Sequence, residues 1–186
     1  MIASQEYPGK VFPIDSENLS SGIALLTLIA CEGREKGLTT QEIVAQIKEA
    51  TPKVRSSFLV GDIDYLYKGG RCSGLAALGA NLLKLKPCIE VIDNAMIPGK
   101  KYRGKAIDAF SAYVETKLKG KEHLRQDHIF ITHSGIEQEI VDAVYAKVKE
   151  YQNFENVHFC RASCTISTHC GYGTLGILFI DDTPKE

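Results

Sequence analysis

Three short stretches of this sequence hold residue types that can do chemistry. The first, Lys68-Gly69-Gly70-Arg71-Cys72-Ser73, places a glycine pair between two cations, just before a candidate helix cap. Glycines let a backbone come close to a ligand, and a helix start offers free N–H groups to an anion. The same residues also read as a stop for one helical turn and a cap for the next. The second, Lys100-Lys101-Tyr102-Arg103-Gly104-Lys105, has four cations in six residues at a strand end. It suits a phosphate or an acidic partner, and equally a solvated charged rim. The third is Ser167-Thr168-His169-Cys170-Gly171-Tyr172-Gly173-Thr174. A histidine beside hydroxyls can offer hydrogen-bond donors to a carboxylate or phosphate. A β-turn with an incidental histidine fits those residues as well.

Other chemistries are poorly served. His169 and Cys170 are adjacent, so as strand residues they point to opposite faces and cannot pair as base and nucleophile. Cys160-x3-Cys164 and Cys164-x5-Cys170 lack the paired spacing of a zinc ribbon, and the histidines are scattered, so no metal is expected. There is no glycine-lysine loop to cradle a nucleotide phosphate.

These residues need a scaffold, and 186 residues with 44% hydrophobic and 24% charged content can build one. Disorder and fibrous repeats are excluded. The 22 basic and 23 acidic residues nearly cancel, leaving no global charge for nucleic acid or an anionic membrane. No apolar run approaches the roughly 18 residues of a membrane span; Ile23–Cys31 is interrupted by Thr27. The first residues carry no secretory pattern, and six cysteines without CxxC pairs suit reduced thiols, so a cytoplasmic location is expected.

Along the chain, Val11-Phe12-Pro13-Ile14 predicts a short strand. Leu19–Lys36 predicts a helix with Ser20 or Ser21 as N-cap, apolar on nearly every face of its first half and so buried on more than one side. Thr39-x-x-Glu42 is a capping box for a second helix that stops near Thr51-Pro52. Ser57–Val60 predicts a strand, Asp62–Tyr67 a helical turn and Leu75–Leu83 an apolar helix. Leu85–Tyr102 predicts a hairpin turning at Asp93-Asn94. Gly104–Lys119 and Ile136–Tyr151 are amphipathic helices; His128–His133, Val157–Cys160 and Leu175–Ile180 are strands. Alternating strands and helices with one hairpin predict an α/β layered fold with a mixed sheet.

Taken in order, several motifs resemble the DegV family of bacterial fatty-acid-binding proteins. They are Val11-x-x-Ile14-Asp15-Ser16 with Ser20-x-Gly22, Leu66-x-Lys68-Gly69-Gly70-Arg71-x-Ser73, Leu85-Lys86-Pro87-x-Ile89, Lys101-x-Arg103-Gly104 and His169-x-Gly171-x-Gly173-Thr174-Leu175-Gly176-Ile177. Two positions depart from the family pattern: Asp93-Asn94 replaces Asp-Gly in the hairpin, and Tyr172 replaces the proline of the histidine loop. The resemblance implies a DegV-like fold, a two-layer α/β domain with a mixed sheet at 56–186, after the tail of a three-layer α/β domain at 1–55. The rest of that preceding domain, which in the family carries the serine and threonine that hold the lipid carboxylate, has no counterpart in these residues.

The function implied is a carrier without catalysis of its own. One long-chain fatty acid lies in an apolar tunnel and its carboxylate is presented to a fatty-acid kinase subunit. His169, with Ser167 and Thr168, is expected at the carboxylate. Leu75, Leu78, Leu82, Ile107 and Phe110 are expected along the acyl chain, and Arg71 and Arg103 on a cationic rim facing the partner and its phosphate. The plainer role for Arg71 is an ion pair with Asp62 or Asp64. No cofactor is expected. The alternatives are a small enzyme (a hydrolase using Cys170, or a kinase-like protein) and an interaction module without ligand.

Overall fold

A computed structural model describes residues 2–71 and 85–183. Alternating apolar residues build a sheet of six strands: β1 (Val54–Leu59), β2 (Leu85–Ile92), β3 (Ala95–Arg103), β4 (Leu124–His133), β5 (Asn156–Arg161) and β6 (Leu175–Asp181). Its order is β3-β2-β1-β6-β4-β5. All pairs are antiparallel except β4 with β5. That parallel pair is joined by helix α6 (Gln138–Tyr151), as a parallel connection requires. The other described helices are α1 (Ile2–Glu6), α2 (Ser21–Glu35), α3 (Thr40–Ala50), α4 (Asp64–Lys68), α5 (Ala106–Leu118) and α7 (Cys164–Cys170).

Successive strand residues face opposite sides, so each strand serves two cores. Ile129 and Ile131 of β4, with Ile177 and Phe179 of β6, pack against Phe110, Val114, Val144 and Val148 of α5 and α6. Phe130, Leu178 and Ile180 face the other way, onto Leu25, Leu26 and Ile47 of α2 and α3. Farther along that second face, Leu66 of α4 and Cys170 of α7 cover Phe58 and Ile89. The expected mixed α/β sheet is therefore present, with helices on both faces, α2 and α3 of the first 55 residues among them.

One side chain ties the α5 layer into the central strand pair. Tyr113 of α5 has no exposed surface, and its hydroxyl donates to the Ser57 carbonyl at 2.7 Å. The same oxygen accepts the Ile177 N–H at 3.1 Å and lies 2.9 Å from Ser57 Oγ. Ser57 and Ile177 are cross-strand partners of β1 and β6. Burial holds the phenol well above its ordinary pKa, so it stays a neutral donor.

Local expectations mostly hold. The Thr39–Glu42 capping box is formed, with Thr39 N donating to Glu42 Oε2 at 2.7 Å and Glu42 N to Thr39 Oγ1 at 3.3 Å. Asp93 and Asn94 turn the hairpin with φ of 48° and 62°, the left-handed values a tight two-residue turn needs. Two expectations fail. Residues 11–14 form no strand: no neighbouring strand pairs with them among the described residues, and Val11 and Pro13 are exposed. Residues 164–170 form helix α7 rather than extended chain, because Ser163 caps it by accepting the Ile166 N–H at 3.4 Å. The Leu75–Leu83 helix lies outside the described residues.

Tyr113→Phe should lower stability by about 1–3 kcal/mol, since it leaves the buried Ile177 N–H and Ser57 carbonyl without their partner. Urea unfolding should show a lower midpoint at unchanged slope. An unchanged midpoint would show that the hydroxyl does not hold α5 to the sheet.

Candidate functional site

The glycine pair and the histidine stretch meet in space. Gly69 ends α4, and a side chain there would collide with Nδ1 of His169 on α7. Gly70 instead has no neighbour within 4 Å of its Cβ position among the described residues, and its φ is 69°. One glycine gives close approach and the other gives backbone handedness. The pattern recurs nearby: the Tyr65 ring occupies the space above Gly171, and the Tyr172 ring lies 2.9 Å from where a Gly135 Cβ would stand. Three rings laid on three glycines thus lock α4, α7 and the turn after β4 together. The turn is pinned further by Ser134 Oγ, which donates to the Gly171 carbonyl, and by Gly173 N donating to Gly135 O at 2.8 Å.

Against Gly69, His169 Nδ1 is buried and finds no hydrogen-bond partner among the described residues. A buried nitrogen is less costly as a bare lone pair than as an unpaired N–H, so the neutral ring carries its proton on Nε2. Arg71 joins this corner, its Nη1 donating to the Gly69 carbonyl at 2.8 Å.

Beside α7, between the two helix pairs, the second face of the sheet has no cover among the described residues. A narrow cleft of about 30 Å³ is lined by Leu19, Phe58, Ile166, Cys170 and Leu178, with hydroxyls of Ser20, Ser57, Thr132, Ser134 and Thr174. Most of those hydroxyls are already engaged. Thr132 bonds Ser21 at 2.7 Å, Ser57 bonds Tyr113, and Thr174 donates to the Cys170 carbonyl at 2.8 Å. The wall therefore presents mostly carbon to a ligand. Through Ser20 and Ile166 the cleft adjoins an open groove of about 650 Å³ between α2 and α7, floored by Phe130 and His158 and flanked by Ile23, Ala24 and Leu28. That volume is of small-molecule size; the cleft alone has room for a water or two.

The other expected site residues scatter. Ser167 Oγ donates to the Ala162 carbonyl at 3.3 Å and Thr168 Oγ1 to Cys164 O at 2.8 Å, so neither proton is free to join His169 at a carboxylate. Helical steps of about 100° also turn the three side chains apart. Phe110 is fully buried in the α5–α6 core with Ile107 packed at its margin, and neither lines the cleft or the groove. Leu75, Leu78 and Leu82 lie outside the described residues. Arg103 is exposed on the outer strand β3, and Arg71 pairs with neither Asp62 nor Asp64 among the described residues. Cys170 is buried and its thiol is pushed up to about 11, so it supplies no thiolate nucleophile near neutral pH. That, rather than opposed strand faces, removes the Cys–His pair.

Sequence reasoning missed the groove, although α2 carried its sign. The helix is not buried on more than one side as expected: Leu25 and Leu26 face the sheet, while Ile23 is 47% exposed and borders the groove with Ala24 and Leu28.

A mixed sheet with helices on both faces carries an apolar groove between α2 and α7, and the His169 ring of α7 lies against Gly69. A family model described as an uncharacterised protein of the DegV family matches residues 1–182, and the chain belongs to that family. A DegV domain-containing protein of Clostridium acetobutylicum is 32% identical over 171 residues, 92% of this chain and 60% of its own length. A fatty acid-binding protein of Thermotoga maritima is 29% identical over 180 residues, covering 95% of this chain and 61% of its own. A crystal structure of a DegV lipid binding protein from Thermotoga maritima superposes with a TM-score of 0.82 at 26% identity, over 99% of this chain and 64% of that one. The chain thus spans about three fifths of the length of the curated relatives it matches.

The two glycines give a sharp contrast. Gly69→Ala must displace His169, whereas Gly70→Ala meets no atom of the described residues and suffers its left-handed backbone, costing about 1 kcal/mol. Imidazole NMR shifts of His169 should move in Gly69→Ala and stay in Gly70→Ala. The reverse pattern would contradict the packing described.

Proposed function

We propose that this chain binds one long-chain fatty acid, its acyl chain along the groove between α2 and α7 and its carboxylate on His169 Nε2–H. The observation that carries the reading is an imidazole held against Gly69, its Nδ1 without a hydrogen bond among the described residues, on the helix whose Ile166 borders an apolar groove of ligand size that His169 itself does not line. Each buried CH₂ contributes roughly 0.8 kcal/mol, which needs carbon walls and little else. The relatives named for fatty-acid and lipid binding support it. In this reading Ile107 and Phe110 belong to the core, and Ser167 and Thr168 fix α7.

Residues 1–55 are then the tail of a preceding domain and 56–186 the lipid-binding domain, with the groove at their junction. The carrier acts in the cytoplasm and catalyses nothing itself, handing the carboxylate to a fatty-acid kinase subunit. Arg71 supports the partner rim, since it shares Gly69 with His169 and its planar fork suits phosphate. Arg103 would mark the far end of that rim.

His169→Ala should weaken fatty-acid binding roughly ten- to hundredfold, the loss of one hydrogen bond to a charged group. Thr27→Trp, on an exposed helix position bordering the groove, should block the chain without unfolding the protein. His123→Ala should do neither. Calorimetric titration with palmitate distinguishes these; equal affinity in all three variants would remove the reading. In a reconstituted kinase reaction, Arg71→Ala with Arg103→Ala should suppress acyl-phosphate formation while palmitate affinity holds. Unchanged acyl-phosphate yield would end the rim assignment alone.

A further inference from the structure

One of the two rings that floor the groove, His158, belongs to a hydrogen-bonded cluster that reaches back from it. Glu32 of α2, His128 of β4 and His158 of β5 form one chain of hydrogen bonds. His128 Nε2 lies 3.0 Å from Glu32 Oε1, and His158 Nε2 lies 3.1 Å from His128 Nδ1. The His128 side chain is only 15% exposed. The His158 ring stacks on Phe130 with centroids 4.5 Å apart and planes 22° from parallel, and both rings line the groove.

Hydrogen-bond chemistry sets the direction of this chain. A carboxylate only accepts, so the proton of His128 sits on Nε2 and its Nδ1 is a lone pair. That lone pair accepts from His158 Nε2–H. The lone pair left over is Nδ1 of His158, on the ring that floors the groove. A proton taken up there turns the stacked ring into a cation beneath an apolar occupant. Burial and, less, the neighbouring His128 lower the His158 pKa from its ordinary value.

We propose that Glu32, His128 and His158 position the groove floor and link its occupancy to one proton, a neutral His158 accepting the apolar chain and a protonated His158 releasing it. The proposal rests on the reading that the groove takes the acyl chain. The surrounding groups leave His158 in charge of the linkage. On α2, Lys36 lies 3.8 Å from Glu32. Beside Glu32 a small cavity brings together Lys36, Glu49 of α3, and Arg125 and Asp127 of β4. On β5, burial raises the Cys160 thiol. From the α7 side the groove receives Ser163, Thr165 and Ile166, none charged. Apart from the two histidines, none of these groups has an ordinary pKa between about 5 and 8.

The sign follows from desolvation. An acyl chain over the ring takes it further from water, so the complex holds the His158 proton less well than the free protein does. Affinity therefore falls as pH drops through the free-protein value, by at most about tenfold per pH unit.

A long-chain fatty alcohol, which has no titrating group of its own, is the probe. Its affinity, measured by calorimetry from pH 8 to pH 5, should fall for the parent chain, by at most about tenfold for each pH unit below the free-protein His158 value. His158→Phe, which keeps the stack, and His158→Gln, which keeps the N–H donor to His128, should both bind with affinity independent of pH. Glu32→Gln should move the midpoint to lower pH, because it removes the anion that favours a charged chain. Independence of pH in the parent, or the same slope in His158→Phe, overturns the proposal. So does a His158 NMR titration in the parent that is unmoved by saturating alcohol, a measurement that needs no variant. Failure of the alcohol to bind at any pH overturns the groove reading itself, and the proposal with it.

Discussion

Strand β6 hydrogen-bonds to β1 on one side and β4 on the other, while every side chain from Leu175 to Ile180 is buried. The strand is almost wholly withdrawn from water, so its backbone polar groups need protein partners. That requirement fixes the register of both neighbours, and through it the two cores. The Tyr113 hydroxyl meets the same demand from above, joining α5 to Ser57 and Ile177 at the middle of the sheet. Once β6 is placed, Thr174 just before it reaches back to Cys170 and forward to the Gly61 N–H, at 2.8 and 3.2 Å. The corner that carries α7 and His169 thus hangs from the most rigidly determined strand.

Among the described residues two covers share the second face of the sheet, α2 with α3 and α4 with α7, and they leave its middle open. The gap is where the cleft and groove lie, and its chemistry follows from the strands beneath. Most of the cleft hydroxyls are tied to other protein groups, so its wall is mostly carbon, with His133 among the lining residues. The glycines on which Tyr65, Tyr172 and His169 rest set how close the α4–α7 cover can come. Function, in this account, sits at a seam between packed units, where side chains can be held rigidly without being buried on all sides.

Local physics made much of this legible in the sequence. The Thr39–Glu42 box, the Asp93-Asn94 turn and the period of Val144 and Val148 each need only a few neighbours in the chain, and each was readable. The Gly69-Gly70 pair could be singled out, but not the separate reasons for its two members, since one reason is a ring from His169, a hundred positions on. The α7 helix was hidden because Cys164-Thr165-Ile166-Ser167-Thr168 is rich in residues that favour extended chain, and a single Ser163 cap with tertiary packing decides against them. The Glu32–His128–His158 chain was invisible for a plainer reason. Its members come from α2, β4 and β5, and only the sheet order brings them together.

The central claim is that a fatty acid lies in the groove between α2 and α7 with its carboxylate at His169. A crystal structure of the chain with a terminally brominated long-chain fatty acid tests it most directly, since the anomalous signal marks the tail and the density marks the head. The account predicts a carboxylate oxygen within hydrogen-bond distance of His169 Nε2, the chain passing along the Phe130–His158 floor. Bromine found on the α5 side of the sheet, beside Ile107 and Phe110, or a carboxylate remote from His169, would contradict it.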